Sequence, residues 1–402
     1  MSQLYVVGVG PGDPLQLTAA ARRAIDSADV VFAAERHAAL AGRAEPLEPL
    51  ATAVERIRAR LDAGGEVAVL VSGDPCLYSL LGLLSRELGG ERIRVVPGVG
   101  AIQAFCARMG VLWQDAKVVS GHGRALTVSA LGHWVRTNGK VLLFCDSAHG
   151  AAWAARALIA EGLEGVRMCV GERLSYPDER LTRGAPAEIA GGEYDPLCMV
   201  WIENDLARPG LPPCGIDDDA FARGRIPMTK REIRMQVMAE LDVRPDSVVW
   251  DVGAGTGSVS VECARACPLG EVCAVEREAE GIALIRENAR RFHINNLTAV
   301  EGAAPEALRG LSAPTHVFIG GSGGMGGGIL AAIPRPARVV ATAVTLESAA
   351  EWTRLFERAG AANVRFAQIA VSRAEKLDGY HLLRAMNPVF IASGDFGLEE
   401  SL

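Results

Sequence analysis

Two runs of alternating strands and helices, separated by a segment that suits neither, constrain this sequence more than any other feature. Over residues 1–205, short β-branched runs alternate with alanine- and leucine-rich stretches that place apolar residues at helical spacing. Prolines, glycines and acidic residues then interrupt the pattern until a second alternation begins at Thr229. This order predicts two α/β domains, 1–205 and 227–402, joined by a linker at 206–226.

The composition excludes several classes of protein. A chain of 402 residues with 49% hydrophobic and 22% charged residues is expected to be globular. Its net charge of −7 argues against nucleic-acid binding, because a basic surplus is needed to neutralise phosphates. No apolar run approaches the roughly 20 residues that span a bilayer, and the N-terminus lacks the features of a signal peptide. We therefore expect a cytoplasmic protein with no nucleic-acid and no membrane partner.

The nine cysteines are scattered along the chain, with no C-x-x-C pair. Cys263 and Cys267 would lie one helical turn apart, but no further His or Cys completes a ligand set, so no metal site is predicted. An odd number of cysteines fits reduced thiols in a cytoplasm, and most are expected to be small buried residues.

The second domain is expected to have a doubly wound, Rossmann-like fold. Its predicted order is a helix at 230–241, a strand at 247–251, a glycine loop and a helix at 258–266, followed by further strands and helices. A closing hairpin is predicted from residues 367–371 and 381–386. No internal repeat relates the two halves of the chain.

A glycine loop follows the first predicted strand of the second domain. The sequence from Asp251 to Gly257 reads D-x-G-x-G-x-G, whereas dinucleotide-binding domains have G-x-G-x-x-G. Glycines allow the tight turn and a close approach of a ligand to the backbone. Glu276 ends the next strand, where a carboxylate would accept hydrogen bonds from the hydroxyls of an adenosine ribose. S-adenosylmethionine is therefore favoured over a nicotinamide cofactor or a turn that binds no ligand.

Motifs on both sides of this loop resemble one family. Residues 227–234 precede the first strand, 301–306 follow the third and 319–324 follow the fourth. Together they resemble the C-15 methyltransferase and decarboxylase of cobalamin biosynthesis over residues 227–386. The cofactor-site residues that this resemblance implies are Thr229, Gly253, Ala254, Gly255, Thr256, Gly257, Glu276 and Ala304. The family usually has Asp where this chain has Ala303, so an acidic contact is absent there.

Three glycine turns end three predicted strands of the first domain. They are 8–13, which reads G-V-G-P-G-D, 72–75, which reads S-G-D-P, and 97–101, which reads P-G-V-G-A. The first is not a dinucleotide loop, because Asp13 stands at the place of the third glycine and Pro11 removes an amide donor. The carboxyl ends of neighbouring parallel strands lie together, so the three turns predict one cleft.

These turns resemble the tetrapyrrole methylase family, which binds S-adenosylmethionine in a cleft between two α/β lobes. Segments 113–116, 120–124 and 171–174 narrow the resemblance to the C-5 methylase of corrin formation, over residues 3–203. The implied cofactor contacts are Gly73, Asp74, Leu77, Gly100 and Ala101, and the implied tetrapyrrole contacts are Gly10, Pro11 and Asp13. The family commonly has two serines in place of Gly100 and Ala101, so backbone contacts are expected there.

The candidates for catalysis are His122 and Arg124 in the first domain and Ser322 in the second. A structural role is favoured for His122 and Arg124, in which they hold neighbouring backbone or a substrate carboxylate. The reason is that methylation of an electron-rich pyrrole carbon needs no strong base.

Basic residues next to the second site are candidates for binding the carboxylates of the substrate. They are Lys230, Arg231 and Arg234. A solvated helix face is an equal alternative for these three, and it is the favoured reading for Arg373, Lys376 and Arg384.

The two resemblances imply one bifunctional enzyme of cobalamin biosynthesis. It would methylate a precorrin macrocycle at C-5 and C-15 and remove carbon dioxide from the ring C acetate, converting precorrin-6B to precorrin-8 with S-adenosylmethionine at two sites. A cobalt-precorrin substrate of the anaerobic pathway is the alternative within this class. A nicotinamide oxidoreductase and a non-catalytic tetrapyrrole carrier are the alternatives outside it. We also expect a homo-oligomer and hand-over contacts with neighbouring pathway enzymes.

Overall fold

A computed structural model describes residues 2–121, 126–207 and 214–397 of the chain. These residues divide into two compact units, one formed mainly by 2–207 and the other mainly by 214–397. His122 and Arg124, two of the candidates for catalysis, lie outside the described residues. Within the described part of the chain, no helix is long and apolar enough to cross a membrane.

The first unit begins with a lobe whose strands are all parallel. Its elements are β1 (Leu4–Gly8), α1 (Ala19–Ser27), β2 (Val30–Ala33), α2 (Glu35–Ala38), β3 (Glu45–Pro46), α3 (Leu50–Asp62), β4 (Val67–Val71), α4 (Leu81–Leu88) and β5 (Ile93–Val96). The sheet has the order β3-β2-β4-β1-β5. Every residue of β4 is buried, because apolar side chains of α1 cover one face of the sheet and those of α3 cover the other.

The second lobe of this unit is built on a mixed sheet. Its elements are α5 (Ala101–Met109), β6 (Lys117–Ser120), α6 (Val128–Thr137), β7 (Lys140–Phe144), α7 (Ala151–Ala160), β8 (Arg167–Glu172), β9 (Arg180–Gly184), α8 (Pro186–Ile189) and β10 (Cys198–Glu203). The order is β6-β7-β10-β8-β9, in which only β6 and β7 are parallel to each other. The two lobes confirm the predicted α/β architecture.

The second unit has a seven-stranded sheet with helices on both faces. Its elements are α9 (Arg231–Leu241), β11 (Val248–Val252), α10 (Ser258–Ala266), β12 (Glu271–Glu276), α11 (Ala279–Arg291), β13 (Leu297–Glu301), β14 (His316–Ile319), α12 (Gly326–Ala332), β15 (Ala337–Ala343), α13 (Leu346–Arg358), β16 (Ala362–Ile369), β17 (Ser372–Leu377), β18 (Tyr380–Ala385) and β19 (Val389–Phe396). The order β13-β12-β11-β14-β15-β19-β16 confirms the predicted doubly wound fold.

Alternation along the central strand β11 divides the core of this unit into two layers. Val249 faces the layer formed with α9 and α10, whereas Trp250 and Val252 face the layer formed with α12 and α13. Because both layers are apolar, β11 is buried on both faces and its carboxyl end is fixed at the centre of the sheet.

The predicted closing hairpin is wrong. Most of 367–371 belongs to β16, which pairs with β19 in the main sheet. Most of 381–386 belongs to β18, which pairs with β17. β17 reads S-R-A-E-K-L and is largely exposed, so it carries no apolar strand signal. The hairpin β17–β18 lies between β16 and β19 in the sequence, so the pairing of β16 with β19 is a long-range contact that no local sequence pattern indicates.

Part of the predicted linker is integral to the second unit. Residues 208–213 lie outside the described residues, but the segment from Cys214 onwards packs on helices of this unit. Phe221 is 3% exposed, with its ring centroid 4.8 Å from that of Phe292. Asn288 in α11 accepts a hydrogen bond from the Ala222 amide at 2.7 Å and donates one to the Ala222 carbonyl at 3.1 Å.

Candidate functional site

An open cavity of about 430 Å³ lies in the second unit, at the edge where β11, β12, β13 and β14 end. These four strands are parallel, so the loops that follow them meet at one edge of the sheet. The strand order reverses there, since β12 and β14 lie on opposite sides of β11. The lining includes Ile226, Pro227, Gly253, Gly255, Glu276, Arg277, Glu278, Gly302, Ala303, Ala304, Gly321, Ser322 and Gly323.

The glycine loop after β11 forms one wall of this cavity and requires glycine at two positions. Gly253 and Gly255 line the cavity with φ angles of +70° and +57°, which side chains disfavour. A Cβ atom on Gly253 would lie 2.6 Å from the Gly321 carbonyl oxygen, and one on Gly255 would lie 3.1 Å from the Pro227 carbonyl oxygen. The loop therefore brings bare backbone to the cavity, as a bound nucleoside requires.

Glu276, at the end of β12, fixes this loop by its carboxylate. Its Oε2 atom accepts a hydrogen bond from the Gly255 amide at 2.8 Å. Its Oε1 atom accepts hydrogen bonds from the Arg277 and Glu278 amides at 2.8 and 3.0 Å. The side chain lines the cavity although the residue is only 8% exposed. Oε1 thus accepts two hydrogen bonds already, whereas Oε2 accepts one and can accept another from a ribose hydroxyl.

Asp251 lies in β11, below the glycine loop, and is fully buried. Burial, together with the negative charge of Glu276, raises the pKa of Asp251 to about 7, although a hydrogen bond donated by the Ser260 hydroxyl opposes the shift. The second carboxyl oxygen, Oδ1, has no hydrogen-bond partner among the described residues. This first acid of the D-x-G-x-G-x-G sequence is thus a buried carboxyl that titrates near neutrality.

The remaining predicted residues of this site divide into two groups. Ser322 and Ala304 line the cavity, as does Ala303, which leaves an apolar wall where the family usually has Asp. The lining does not include Thr229, Ala254, Thr256 or Gly257. Thr256 is 1% exposed and Ala254 packs against the core, so both point away from the cavity. Sequence reasoning did not assign Ile226, Pro227 or Arg277 to the site. Pro227 begins the motif 227–234, and the other two lie next to motif residues.

Arg234 is not available to a substrate. It is 0% exposed, and its guanidinium donates hydrogen bonds to Asp218 at 2.8 Å and to Glu262 at 3.0 Å. It also lies 4.8 Å from the ring centroid of Phe221. A buried guanidinium with two carboxylate partners stabilises structure rather than binding ligand, and here it ties the end of the predicted linker to α10.

Arg231 and Arg373, on or near α9, have acidic partners as well. Arg231 donates a hydrogen bond to the Gly215 carbonyl at 2.9 Å and lies 3.5 Å from Asp217. Arg373 donates hydrogen bonds to Asp218 and Glu232, at 2.9 and 2.6 Å for the shortest pairs. Lys230 precedes α9 and, like Arg231, does not line the cavity.

In the first unit, the structure brings the three predicted glycine turns together. They follow β1, β4 and β5, which are neighbours in the parallel sheet. A Cβ atom on Gly8 would lie 2.6 Å from both the Gly73 oxygen and the Gly98 nitrogen, and one on Gly98 would lie 2.5 Å from the Gly73 oxygen. The Gly73 amide also donates a hydrogen bond to the Gly10 carbonyl at 2.9 Å. The turns contact one another mainly through backbone atoms.

The residues implied as cofactor contacts surround this junction. Gly73 has a φ angle of +63°, and its Cβ position would be 3.4 Å from the Ala101 amide nitrogen. The Asp74 carboxylate accepts a hydrogen bond from the Cys76 amide at 2.8 Å, and Leu77 is 36% exposed. The Gly100 amide donates to the Gln103 side chain at 2.6 Å, at the start of α5.

Two residues implied as tetrapyrrole contacts have structural partners. The Asp13 carboxylate accepts a hydrogen bond from the Leu15 amide at 2.8 Å and so caps a short 3₁₀ turn. Pro11 is buried, whereas Gly10 has a φ angle of +82° and forms an isolated bridge with Gly73.

A buried histidine beside the turn 72–75 was not predicted from the sequence. His37 is 4% exposed, and its Nε2 atom lies 2.7 Å from the Ser72 hydroxyl, to which Arg36 donates at 3.0 Å. Burial and the charge of Arg36 lower the pKa of His37 to about 4, so the ring is neutral at pH 7. Ser72 directly precedes Gly73, and the cluster therefore holds this turn in place.

The chain is similar over nearly its whole length to a curated relative. It is 34% identical over 387 residues to the precorrin-6Y C(5,15)-methyltransferase [decarboxylating] of Sinorhizobium sp, covering 94% of this chain and 92% of the relative. The chain belongs to the precorrin-6Y C(5,15)-methyltransferase (decarboxylating) family. It is therefore a methyltransferase, and the family supports the use of S-adenosylmethionine.

Two domain models each match a different part of this chain. The tetrapyrrole (corrin/porphyrin) methylase model matches residues 3–190, and the precorrin methyltransferase domain model matches residues 219–393. The second match begins inside the predicted linker, in agreement with the packing of that segment onto the second unit.

Relatives of half the length carry separate names. The cobalt-precorrin-7 C(5)-methyltransferase of Salmonella typhimurium is 32% identical, and the match covers 50% of this chain and 98% of the relative. A probable cobalt-precorrin-6B C(15)-methyltransferase (decarboxylating) of Pyrobaculum calidifontis is 37% identical, and the match covers 48% of this chain and 97% of the relative. The precorrin-6Y methyltransferase family thus joins on one chain two parts that also occur singly.

Proposed function

We propose that this chain methylates a precorrin macrocycle at C-5 and C-15 and releases the carboxyl carbon of the ring C acetate as carbon dioxide, converting precorrin-6B to precorrin-8. The observation that carries the proposal is the similarity over 94% of the chain to a precorrin-6Y C(5,15)-methyltransferase [decarboxylating]. Full-length relatives are named for a precorrin, with no cobalt in the name, which favours precorrin-6B over its cobalt complex. Turnover of both substrates, followed by product mass and carbon dioxide release, tests the choice.

Each unit is proposed to hold one S-adenosylmethionine. In the second unit, Gly253 and Gly255 supply a backbone cradle that a Cβ atom would fill, and the Glu276 carboxylate faces the same cavity. In the first unit, Gly73, Gly100 and Ala101 meet at the glycine junction. Calorimetric titration with S-adenosylhomocysteine should give two equivalents per chain, and a single equivalent would contradict this proposal.

The residues of the second unit position and shield the reacting groups. The cofactor, when bound, supplies an electrophilic methyl group on its sulfonium. Glu276 would orient the ribose, while the glycines leave room for the backbone to approach it. Ser322 and Arg277 line the cavity with the hydroxyl and the positive charge that a carboxylate-bearing macrocycle needs nearby. Such positioning of two reactants can lower a barrier by roughly 7–11 kcal/mol.

The second unit is proposed to carry out both C-15 methylation and decarboxylation. A half-length relative named for both reactions supports this division, since it lacks the rest of the chain. Fragments 1–207 and 214–402 contain most of the first and of the second compact unit, respectively. With precorrin-6B and methyl donor, fragment 214–402 should release carbon dioxide and add one methyl group, and fragment 1–207 should release none. Carbon dioxide from fragment 1–207 would contradict the division.

Self-association through the hairpin β17–β18 is proposed as well. Among the described strands, this pair forms a sheet of its own, and an isolated two-stranded sheet is marginally stable in water. Its apolar side chains are nevertheless exposed: Leu377 by 61%, Tyr380 by 77%, Leu382 by 53% and Leu383 by 74%. Leu377, Tyr380 and Leu382 share one face of the hairpin, and Leu383 lies on the other. Exposed apolar side chains that lie together are typical of protein interfaces. A second copy of the chain that contributes the same hairpin would cover it.

Measuring the mass of the protein in solution tests whether the chain self-associates through this hairpin. The double variant L382E/L383E should reduce the mass to that of one chain, because charged side chains would have to be buried at the interface. L206E is the matched control, since Leu206 is 86% exposed but lies outside the hairpin. An unchanged mass for the double variant, or a monomeric wild type, would rule out this interface.

We propose a cytoplasmic location on the basis of the free cysteine thiols. All nine cysteines are free, and seven of them are buried. Free thiols persist in a reducing compartment.

A further inference from the structure

A histidine and an aspartate lie together at the end of β7, in a part of the first unit that the cofactor contacts do not include. His149 Nδ1 is 3.0 Å from Asp146 Oδ1, and both side chains are 18% exposed. The same Asp146 oxygen accepts hydrogen bonds from the backbone amides of Ala148 at 2.9 Å and His149 at 2.6 Å. Although burial opposes it, these hydrogen bonds and the imidazole lower the pKa of Asp146, which therefore remains an anion.

The pair lies at an edge of the second-lobe sheet that the cofactor turn of the first lobe also reaches. β6 and β7 are parallel and end together, and the Gly121 amide donates a hydrogen bond to the Phe144 carbonyl at 3.0 Å. Tyr78 follows the predicted contact Leu77. Its ring centroid is 5.5 Å from that of Phe144, and its hydroxyl donates to the Val118 carbonyl at 3.3 Å. Tyr78, next to the turn that would bind the methyl donor, thus packs on β6 and on β7, and Asp146 follows β7 by two residues.

The pair packs closely against Gly121. A Cβ atom on Gly121 would lie 3.1 Å from Asp146 Cγ and 3.3 Å from His149 Cβ. The His149 ring also meets the Trp153 ring edge-on, with centroids 4.7 Å apart and an interplanar angle of 86°. The imidazole is therefore held in one orientation by a carboxylate, a glycine and an aromatic ring.

The orientation fixes the role of each ring nitrogen. Nδ1 carries the proton that is donated to Asp146, which makes Nε2 the acceptor in the neutral ring. No described residue hydrogen-bonds to Nε2. A carboxylate that orients a neutral imidazole and stabilises its protonated form is the arrangement found in general bases.

We infer that His149 is the base that removes the proton from C-5 after methyl transfer in the first unit, with Asp146 as its positioning residue. The π electrons of the macrocycle form the new bond from C-5 to the methyl carbon, and the carbon–sulfur bond breaks with its electron pair going to sulfur. C-5 then carries both a methyl group and a hydrogen, and the macrocycle is a delocalised cation. His149 Nε2 takes that hydrogen as a proton, and the C–H electron pair restores the conjugation. The imidazolium later releases the proton to solvent.

This inference rests on the proposed C-5 methylation, and the test uses the full-length chain. H149Q removes the proton acceptor but keeps a polar side chain of similar size. We expect the rate of C-5 methylation to fall by about 10²-fold, the lower end of the range for general bases, because the cationic intermediate is itself acidic. Carbon dioxide release and C-15 methylation occur at the other site and should be unchanged, which provides an internal control for folding.

Two further measurements separate a base from a structural residue. With substrate deuterated at C-5, H149Q should show a primary isotope effect on C-5 methylation that the wild type lacks, because proton loss becomes rate-limiting. Added imidazole should restore activity to H149G but not to H149Q, where the space is filled. D146N should lower kcat with little change in KM.

The outcomes distinguish the two proposals. A wild-type chain that adds no methyl group at C-5 would refute the proposed function. A wild-type rate of C-5 methylation in H149Q, or a slow H149Q with neither an isotope effect nor rescue of H149G by imidazole, would refute the role of His149 alone.

Discussion

The two proposed cofactor sites present bare backbone by different means. In the first unit, Gly8, Gly73 and Gly98 come from three turns and pack against one another with no side chain between them. In the second unit, a single loop is held by the Glu276 carboxylate, above the buried Asp251. The first cleft therefore depends on the absence of side chains, and the second depends on buried charge. The two should fail under different changes: added volume in the first, and altered charge or pH in the second.

The largest expected effect is on the stability of the second unit. R234M would leave the carboxylates of Asp218 and Glu262 buried without their shared partner. We expect the free energy of unfolding of this unit to fall by about 3–5 kcal/mol, as for other broken buried ion pairs. R384M is the control, because its pair with Glu375 is largely exposed and should contribute at most about 1 kcal/mol. Equal losses in denaturant unfolding would show that buried charge does not distinguish the second unit.

The G255R variant should lose binding of S-adenosylhomocysteine at the second unit and keep it at the first. An arginine at this position would occupy the cavity and would also have to adopt a φ angle of +57°. Binding of S-adenosylhomocysteine at the second unit should weaken at least about 100-fold, or ~2.8 kcal/mol, and one equivalent should remain. Carbon dioxide release should stop.

The matched control for G255R is G310R. Gly310 also has a positive φ angle, of +82°, but nothing lies within 4 Å of its Cβ position. The G310R chain should still bind two equivalents of S-adenosylhomocysteine. Loss of both equivalents in a folded G255R chain would mean that the clefts do not bind independently.

G98A tests the steric dependence of the first cleft. The added methyl group would meet the carbonyl oxygens of Gly73 and Gly8 at 2.5 and 2.6 Å, so the turns must move apart. Overpacking of this kind costs about 1–3 kcal/mol, and the first unit should lose its equivalent of S-adenosylhomocysteine. G90A adds the same methyl group where nothing lies within 4 Å, and it should bind like the wild type. Tight binding by G98A at the first unit would show that the junction is not part of a cofactor site.

Asp251 should give the stability of the second unit a pH dependence of its own. The pKa of Asp251 is about 7 in the folded chain, against roughly 3.9 when unfolded, so the folded state binds more protons between about pH 4 and 7. The carboxyl therefore destabilises this unit increasingly as the pH rises through that window. D251N cannot ionise, so its stability relative to the wild type should be higher at pH 7 than at pH 5.

The control for this pH dependence is D246N. Asp246 is exposed in the same unit, and its substitution should leave the difference between the two pH values unchanged. Parallel stability curves for D251N and the wild type in denaturant unfolding would contradict the raised pKa.

The local elements of the fold were predictable from the sequence. The helix predicted at 258–266 is α10, and the strand predicted at 247–251 lies one residue from β11. Periodicity reports such elements because their apolar residues face one core. The hairpin failed for the same reason, since β17 and β18 are exposed throughout most of their length and face no core.

For the two proposed sites, the sequence alone determined the glycine turns at the strand ends, because glycine spacing and strand ends are local features of the sequence. It also determined the acid at Glu276, whose distance along the chain fits the next strand. Only the tertiary structure decided which charged side chains are already paired with opposite charges. Arg234 and Lys230 are neighbours on one short segment, yet Arg234 is buried between Asp218 and Glu262. The pairing of His149 with Asp146, and of His37 with Ser72, likewise follows from which strand ends meet, because hydrogen bonds depend on distances in space that residue spacing does not give.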